Sequence, residues 1–353
     1  MRTRSKALAV MKAMVLERIT RLDRGRTPLE AREIPIPEPG PGEILVRVSA
    51  CGVCHTEIDE IEGRTPPPRL PVVPGHQAVG IVAGAAHGAK RFREGDRVGV
   101  AWIHSACGSC KFCRTDRENL CAEFRASGRD ADGGYAEYLT VPEAFAHPIP
   151  AVFTDAGAAP LLCAGAIGYR SLELTGMSDG ETLGLTGFGA SAHLVLKLAR
   201  HRFPRSGVYV FARSETEREF ARSLGAVWAG DTREESPVKL DRIIDTTPVW
   251  RPVLEALRNL DAGGRLVINA IRKEDADREA LLELDYTRHL WLEKEIKTVA
   301  NVSRLDVGEF LRIASEIPIT PEVQEYRLED ANRAILDLKT GSVRGAKVLR
   351  IHS

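Results

Sequence analysis

Thr182-Leu-Gly-Leu-Thr-Gly187-Phe-Gly189-Ala190-Ser191-Ala192-His-Leu-Val-Leu-Lys-Leu-Ala-Arg200 is the stretch that decides the fold. The apolar run Thr182–Thr186 reads as a strand, and Ala190–Arg200 as a helix with Leu194, Leu198 and apolar neighbours on one face. Strand, glycine turn and helix in that order give a G-x-G-x-x-G/A motif its meaning as a dinucleotide fingerprint. Gly187 allows the tight turn and Gly189 the close approach of a pyrophosphate, with Ala190 and Ser191 leading into the helix N-terminus. Ala192 takes the third glycine position, where the fingerprint tolerates alanine. Outward from the motif, strands at Val208–Ala212, Asp241–Asp245 and Arg265–Ala270 alternate with helices at Thr216–Leu224 and Pro252–Leu260. That alternation predicts βαβ units and a doubly wound parallel sheet.

The chain before residue 160 reads differently. Ile44–Val48, Ala78–Val82 and Arg97–Val100 are short strands bounded by glycine, proline or charged turns, and helical periodicity is scarce. A small β-rich, barrel-like domain is expected there. Beyond residue 300 come a helix, Val307–Ser315, and a β-like end, Lys347–Ile351. At roughly 150 residues per domain, 353 residues make two domains or three. Lys plus Arg equals Asp plus Glu at 49 each, so no excess of base points to nucleic acid. No apolar run approaches the ~20 residues that cross a bilayer. The basic N-terminus makes a poor signal peptide, and a cytoplasmic location is expected.

Seven cysteines follow no disulfide pattern, and four of them cluster as Cys107-x2-Cys110-x2-Cys113-x7-Cys121. Four thiolates at that spacing can wrap a tetrahedron around one zinc and leave no open position, which makes the site structural. A dispersed set is Cys54 in CGVCHTE, His76 in VVPGHQAVG and Cys163 in APLLCAG. Two cysteines and a histidine leave a fourth position open, as catalytic zinc requires. Cys51 forms a CxxC pair with Cys54, but no thioredoxin-like context surrounds it, and it reads as a bystander.

These motifs, with DGGYAEY at 132–138 and GFGASAH at 187–193, stand in the order found in the zinc-dependent alcohol dehydrogenases of the medium-chain dehydrogenase/reductase family. The chain resembles that family over nearly its whole length, and most of all its bacterial, propanol-preferring branch. The Cys2His set is one these enzymes are known for, so ligand count alone does not carry the assignment. The resemblance implies an α/β architecture: a GroES-like β-rich catalytic domain from residues 1–160 and 300–353, and a doubly wound Rossmann coenzyme domain at 161–299. It also implies that Met11 aligns with the family's usual start, so that residues 1–10 are an extension.

Roles carried over by position follow from the same resemblance. Cys54, His76 and Cys163 match the catalytic zinc ligands, and Cys107, Cys110, Cys113 and Cys121 the structural ones, giving two zinc ions per chain. Thr56 matches the hydroxyl that takes the alcohol's proton, and Glu57 the acid that orients the ligand histidine. Trp102, five residues before Cys107, matches an aromatic wall of the substrate pocket. Thr65 stands where yeast-like relatives have a second tryptophan, which predicts a roomier pocket. Gln77 replaces the glutamate that usually follows the ligand histidine, and Asp59 replaces the histidine that passes the proton outward.

The activity implied is reversible hydride transfer between primary alcohols or aldehydes and NAD(P), in a homodimer or homotetramer. An NAD enzyme would place an acid at the end of the second strand, ~20 residues past the glycines. Here that strand ends Ala212-Arg213-Ser214, with Glu215 the nearest acid, which fits NADP(H) better than NAD(H). Two rival readings are a zinc-dependent aldehyde or cinnamaldehyde-type reductase and a zinc scaffold without turnover. A scaffold needs only the four-cysteine lobe, so the complete second ligand set and Thr56 speak against it.

Overall fold

The computed structural model describes residues 9–23, 25, 27–317, 319–341 and 346–352; residues 1–8 of the expected N-terminal extension lie outside it. In chain order come β1 (Val10–Leu16), β2 (Leu29–Pro35), β3 (Glu43–Val53), α1 (His55–Ile61), β4 (Ala78–Ala85) and β5 (Arg97–Val100). After them run β6 (Ile103–Ser105), β7 (Arg125–Ala126), β8 (Tyr138–Pro142), β9 (Ala146–Pro148) and α2 (Asp155–Ala158). The middle of the chain holds α3 (Ala164–Thr175), β10 (Leu183–Thr186), α4 (Ala192–Arg202), β11 (Val208–Phe211), α5 (Glu215–Ser223) and β12 (Trp228–Gly230). It continues through β13 (Leu240–Asp245), α6 (Arg251–Asn259), β14 (Leu260–Ile268) and β15 (Glu295–Thr298). The chain closes with α7 (Arg304–Glu316), β16 (Val323–Arg327), α8 (Ala331–Thr340) and β17 (Ala346–Arg350).

Contacts divide these elements into two compact units. One gathers the described residues of Met1–Cys163, Ser303–Ser315 and Thr320–Ser353; the other gathers Ala164–Val302 with Glu316–Ile319. In the first unit, a seven-stranded sheet runs β16-β17-β3-β4-β5-β9, with β8 also on β3. Glu43–Val48 alternates half-exposed and buried residues, and Ile44, Val46 and Val48 are fully buried in the core. That period of two commits one face of β3 inward. Further along, β3 pairs with β4 on one side and β17 on the other, and Ala50–Val53 are buried. The C-terminal strand thus completes a sheet begun three hundred residues earlier in the chain.

The second unit is a six-stranded, all-parallel sheet of order β12-β11-β10-β13-β14-β15. Numbered within the sheet that is 3-2-1-4-5-6, the doubly wound dinucleotide-binding order. Its first strand, Leu-Gly-Leu-Thr in β10, is buried at every position, because helices cover both faces of a parallel sheet. α6 turns Val253, Ala256 and Leu257 into this core beside Leu240, Ile243 and Leu266.

Candidate metal centres and dinucleotide loop

β3 delivers Cys54 to the N-cap of α1, where its backbone is extended and its sulfur accepts from Thr56 N at 3.3 Å. Glu57 answers from the first turn: its Oε2 accepts from Cys54 N at 2.8 Å, while Oε1 lies 2.6 Å from His76 Nδ1. Glu57 and His76 are both fully buried. A carboxylate on Nδ1 fixes the ring's tautomer and leaves Nε2 as the ligating nitrogen. Nε2 lies 3.4 Å from Cys54 Sγ. Cys163, at the end of a 3-10 turn from Ala159 to Leu162, brings the third donor. The ligand atoms of Cys54, His76 and Cys163 lie within 4.8 Å of one another. The sulfur of Cys163, and then burial, push the Cys54 thiol well above its ordinary value. Two thiol sulfurs this close do not both ionise readily unless a cation joins them, so the donor set fits zinc.

His76 is held by a segment to which the sequence reading gave no role. Val73 N donates to Asp132 Oδ1 at 3.0 Å, and Gly133 N donates to Val73 O at 2.7 Å. Gly134 N and Tyr135 N donate to Gly75 O and Pro74 O at 2.9 and 3.0 Å. The fit requires glycine: a Cβ on Gly133 would stand 2.1 Å from Gly75 O, and Gly75 itself has φ +102° beneath the Tyr135 ring. Cys51 is fully buried beside Gly75 and Gly134, with its thiol pushed up by burial, as a packing residue. Gln77 is buried over Gly52.

The other candidate residues of α1 and its surroundings are placed as follows. Thr56 is half-buried beside Cys54. Asp59 is buried, and its Oδ1 accepts from Arg64 Nε at 2.5 Å, so this acid is paired. Thr65 N donates to Asp59 O at 3.1 Å, while the buried Thr65 hydroxyl has no hydrogen-bond partner among the described residues. Trp102 is half-buried, its ring 4.7 Å from that of Phe124, and its indole N–H has no partner among the described residues.

In the lobe, the four sulfurs of Cys107, Cys110, Cys113 and Cys121 also converge within 4.8 Å. Cys107 Sγ lies 3.8 Å from Cys113 Sγ and accepts from Cys110 N at 3.4 Å. N–H groups of Ser109 and Cys110 hold the Cys107 thiol down to about 6, while burial pushes Cys113 up to about 12. Four converging thiols with N–H donors aimed at sulfur suit a tetrahedral zinc with no open position. The lobe is moored by Glu118, whose Oε1 accepts from Arg304 N and Nε, both at 2.8 Å, at the start of α7.

In the second unit, Gly187 has φ +79°, the left-handed turn that admits glycine. A Cβ on Gly189 would meet nothing within 4 Å, which leaves its backbone open to a phosphate. Ala190 is exposed, Ser191 caps α4 without a side-chain bond, and Ala192 is wholly buried. At the end of β11 Ala212 is buried and Arg213 exposed. Ser214 Oγ accepts from Glu217 N at 3.2 Å. Glu215 is held by Arg222 and Arg218 at 2.8 and 2.7 Å, which lowers its carboxyl below the usual range.

The alcohol dehydrogenase GroES-like domain matches residues 40–151. A probable alcohol dehydrogenase of Mycobacterium tuberculosis is 44% identical over 97% of this chain and 98% of its own. A solved NAD-dependent alcohol dehydrogenase superposes with TM-score 0.84 at 25% identity, covering 96% of this chain and 99% of that one. A zinc-binding dehydrogenase from Sinorhizobium meliloti bound to NADP gives 0.82 at 26% identity, covering 97% and 99%.

Proposed function

The chain belongs to the zinc-dependent alcohol dehydrogenases of the medium-chain family, and from that premise we propose which of its residues carry the reaction and which dinucleotide it uses. Cys54, His76 and Cys163 hold the catalytic zinc, and Cys107, Cys110, Cys113 and Cys121 hold a second, structural one. Bound zinc supplies Lewis-acid polarisation of the substrate oxygen, and the nicotinamide accepts or returns the hydride. Everything else falls to side chains. Glu57 keeps the His76 ring in one tautomer and one orientation. The Thr56 hydroxyl takes the proton that leaves the alcohol and passes it along the α1 face that carries Asp59. Trp102 bounds the substrate and Thr65 leaves room beside it, which favours primary alcohols and aldehydes. The observation that carries this reading is the Cys54–His76–Cys163 cluster with Glu57 at 2.6 Å from His76. Alcohol-dependent reduction of NAD⁺ or NADP⁺ by protein carrying two zinc ions per chain supports it. One zinc per chain and no turnover would favour the scaffold reading.

The dinucleotide is NADP(H). No acid stands at the end of β11, and the nearest, Glu215, is already held by two arginines. Among the described residues no carboxylate pairs with Arg213, whose exposed guanidinium is left for a 2′-phosphate. Arg213→Ala should lower kcat/KM for NADP⁺ at least tenfold and leave NAD⁺ nearly unchanged. A wild type that prefers NAD⁺ tenfold, ~1.4 kcal/mol, overturns the assignment.

Copies of the chain associate through β15. That strand is the edge of the parallel sheet, all four of its residues are exposed, and Ile296, Trp291 and Leu292 are apolar and exposed beside it. An unpaired edge with apolar flanks pairs with its own copy about a two-fold axis.

A further inference from the structure

Asp245 is the last residue of β13, in register with Thr186 of β10, and it is completely buried. Its partner, Lys273, comes from the loop after β14 and is almost as deeply buried. Lys273 Nζ donates to Asp245 Oδ2, to Thr247 O at 2.7 Å and to Val249 O at 3.1 Å. An ammonium has three protons, and each has an acceptor here. Asp245 Oδ1 takes Thr247 N at 3.2 Å and Thr247 Oγ1 at 2.7 Å. The pair therefore fixes the turn Thr246–Val249 from both sides.

That turn touches the glycine loop directly. Thr246 N and Oγ1 donate to Thr186 O at 2.9 and 3.0 Å, and Oγ1 lies 3.4 Å from Gly187 O. A Cβ on Gly187 would stand 2.9 Å from Thr246 Oγ1 and 3.0 Å from Thr247 Cγ2. Gly187 thus rests on a floor made by the two threonines, and the floor rests on Lys273. Burying an ion pair gains little stability over an apolar pair of the same size; what this pair adds is the set of hydrogen bonds that tie down the turn. The carboxyl ends of the parallel strands are where a dinucleotide docks.

We propose that Asp245 and Lys273 are positioning residues for the dinucleotide: they hold Thr246 and Thr247 under Gly187 and so set the loop that receives the pyrophosphate. The proposal rests on the reading of Gly187–Ala192 as that loop. Its test is the Kd of NADPH, measured by fluorescence titration of the full chain, with Tm, zinc content and amide exchange at Gly187 and Gly189 followed in parallel. Lys273→Met should raise the Kd about tenfold, speed exchange at both glycines and leave zinc unchanged; Lys273→Arg should restore part of the affinity. Thr246→Ala, which removes one hydroxyl and no charge, should raise the Kd severalfold with little change in Tm. A Lys273→Met protein that loses Tm yet binds NADPH within twofold of wild type overturns the proposal, since the pair is then only structural. If Lys273→Met does not fold, Thr246→Ala and the neutral double variant Asp245→Asn/Lys273→Met decide by the same Kd criterion. A wild type that binds neither NADPH nor NADH overturns the reading of the loop itself, and the positioning role with it.

Discussion

Cys163 and Cys110 are chemically alike, half-buried thiols in zinc-competent clusters, yet their surroundings predict opposite failures. Cys163 sits where a 3-10 turn meets α3, and the backbone around Cys54 and His76 is held independently by Glu57, Thr56 and the Asp132–Tyr135 segment. Its removal should open one metal site and leave the fold. Cys110 belongs to a loop whose own order comes from four sulfurs and short 3-10 turns, with little apolar core beneath it. In such a loop metal binding and local folding are the same event. Cys163→Ala should retain one zinc by elemental analysis, keep its Tm within a few degrees, and lose at least about a thousandfold in kcat, the ~4 kcal/mol scale of a lost Lewis acid. Cys110→Ser should lower Tm clearly while fresh protein still turns over. Equal losses of Tm in the two variants would contradict this division.

Loops carry the same contrast at the scale of elements, because two glycines of equal chemistry hold opposite duties. Gly75 has a left-handed φ, and its missing Cβ would lie 2.5 Å from the Tyr135 ring. Gly75→Ala should cost roughly 2–4 kcal/mol through strain and overpacking, and loosen zinc at His76. Gly189 has no such strain and open space around it, so Gly189→Ala should leave Tm unchanged and raise the dinucleotide Kd about tenfold. Calorimetry and NADPH titration on the two variants check both; a stability loss in Gly189→Ala would mean the loop has no open side. What was legible beforehand follows the same physics. The sequence places β5 at its observed bounds, and β10, β11, β13, α5 and α6 within a residue or so at each end, because apolar runs and amphipathic faces are local signals. α3 gives no such signal: its first turns are Ala-Gly-Ala-Ile-Gly, and Gly168 leaves room for Val195 of α4 to approach. α8 and β15 do not stand out in the sequence either, the latter because four exposed residues carry no alternation. The zinc candidates were legible from cysteine spacing and motif order. The Asp132–Tyr135 zipper, the Glu118–Arg304 mooring and the Lys273 contacts were not, since each joins residues that only the fold brings together.

At the scale of the whole molecule, the last strands of the chain return to a sheet whose first strand in sequence is β3. β17 lies antiparallel to β3 and parallel to β16, which closes the first unit and leaves the parallel sheet as an insertion with a free edge at β15. The opposite edge, β12, is a three-residue strand, too short to template another chain. β15 is one residue longer, and between Glu295 and Lys297 it exposes Ile296. Ahead of it Leu292 and Glu293 take left-handed φ of 67° and 60°, an uncommon conformation for side-chain-bearing residues, and Gly263 N donates to Leu292 O at 2.8 Å to hold the turn. The turn keeps Trp291 and Leu292 outward next to Ile296, each about half exposed. A lone protomer would leave that apolar group and a row of unpaired backbone amides in water, whereas a second copy related by a two-fold axis satisfies both at once. Ile296→Lys places a charge in the centre of that contact, and like charges then face each other across the axis. Analytical ultracentrifugation should show wild type as a dimer or tetramer and Ile296→Lys at half its mass. NADPH binding by the variant should persist, because Ile296 is remote in the sheet order from β10 and β11. A monomeric wild type, or a variant with undiminished mass, would mean that β15 is not where copies of the chain meet.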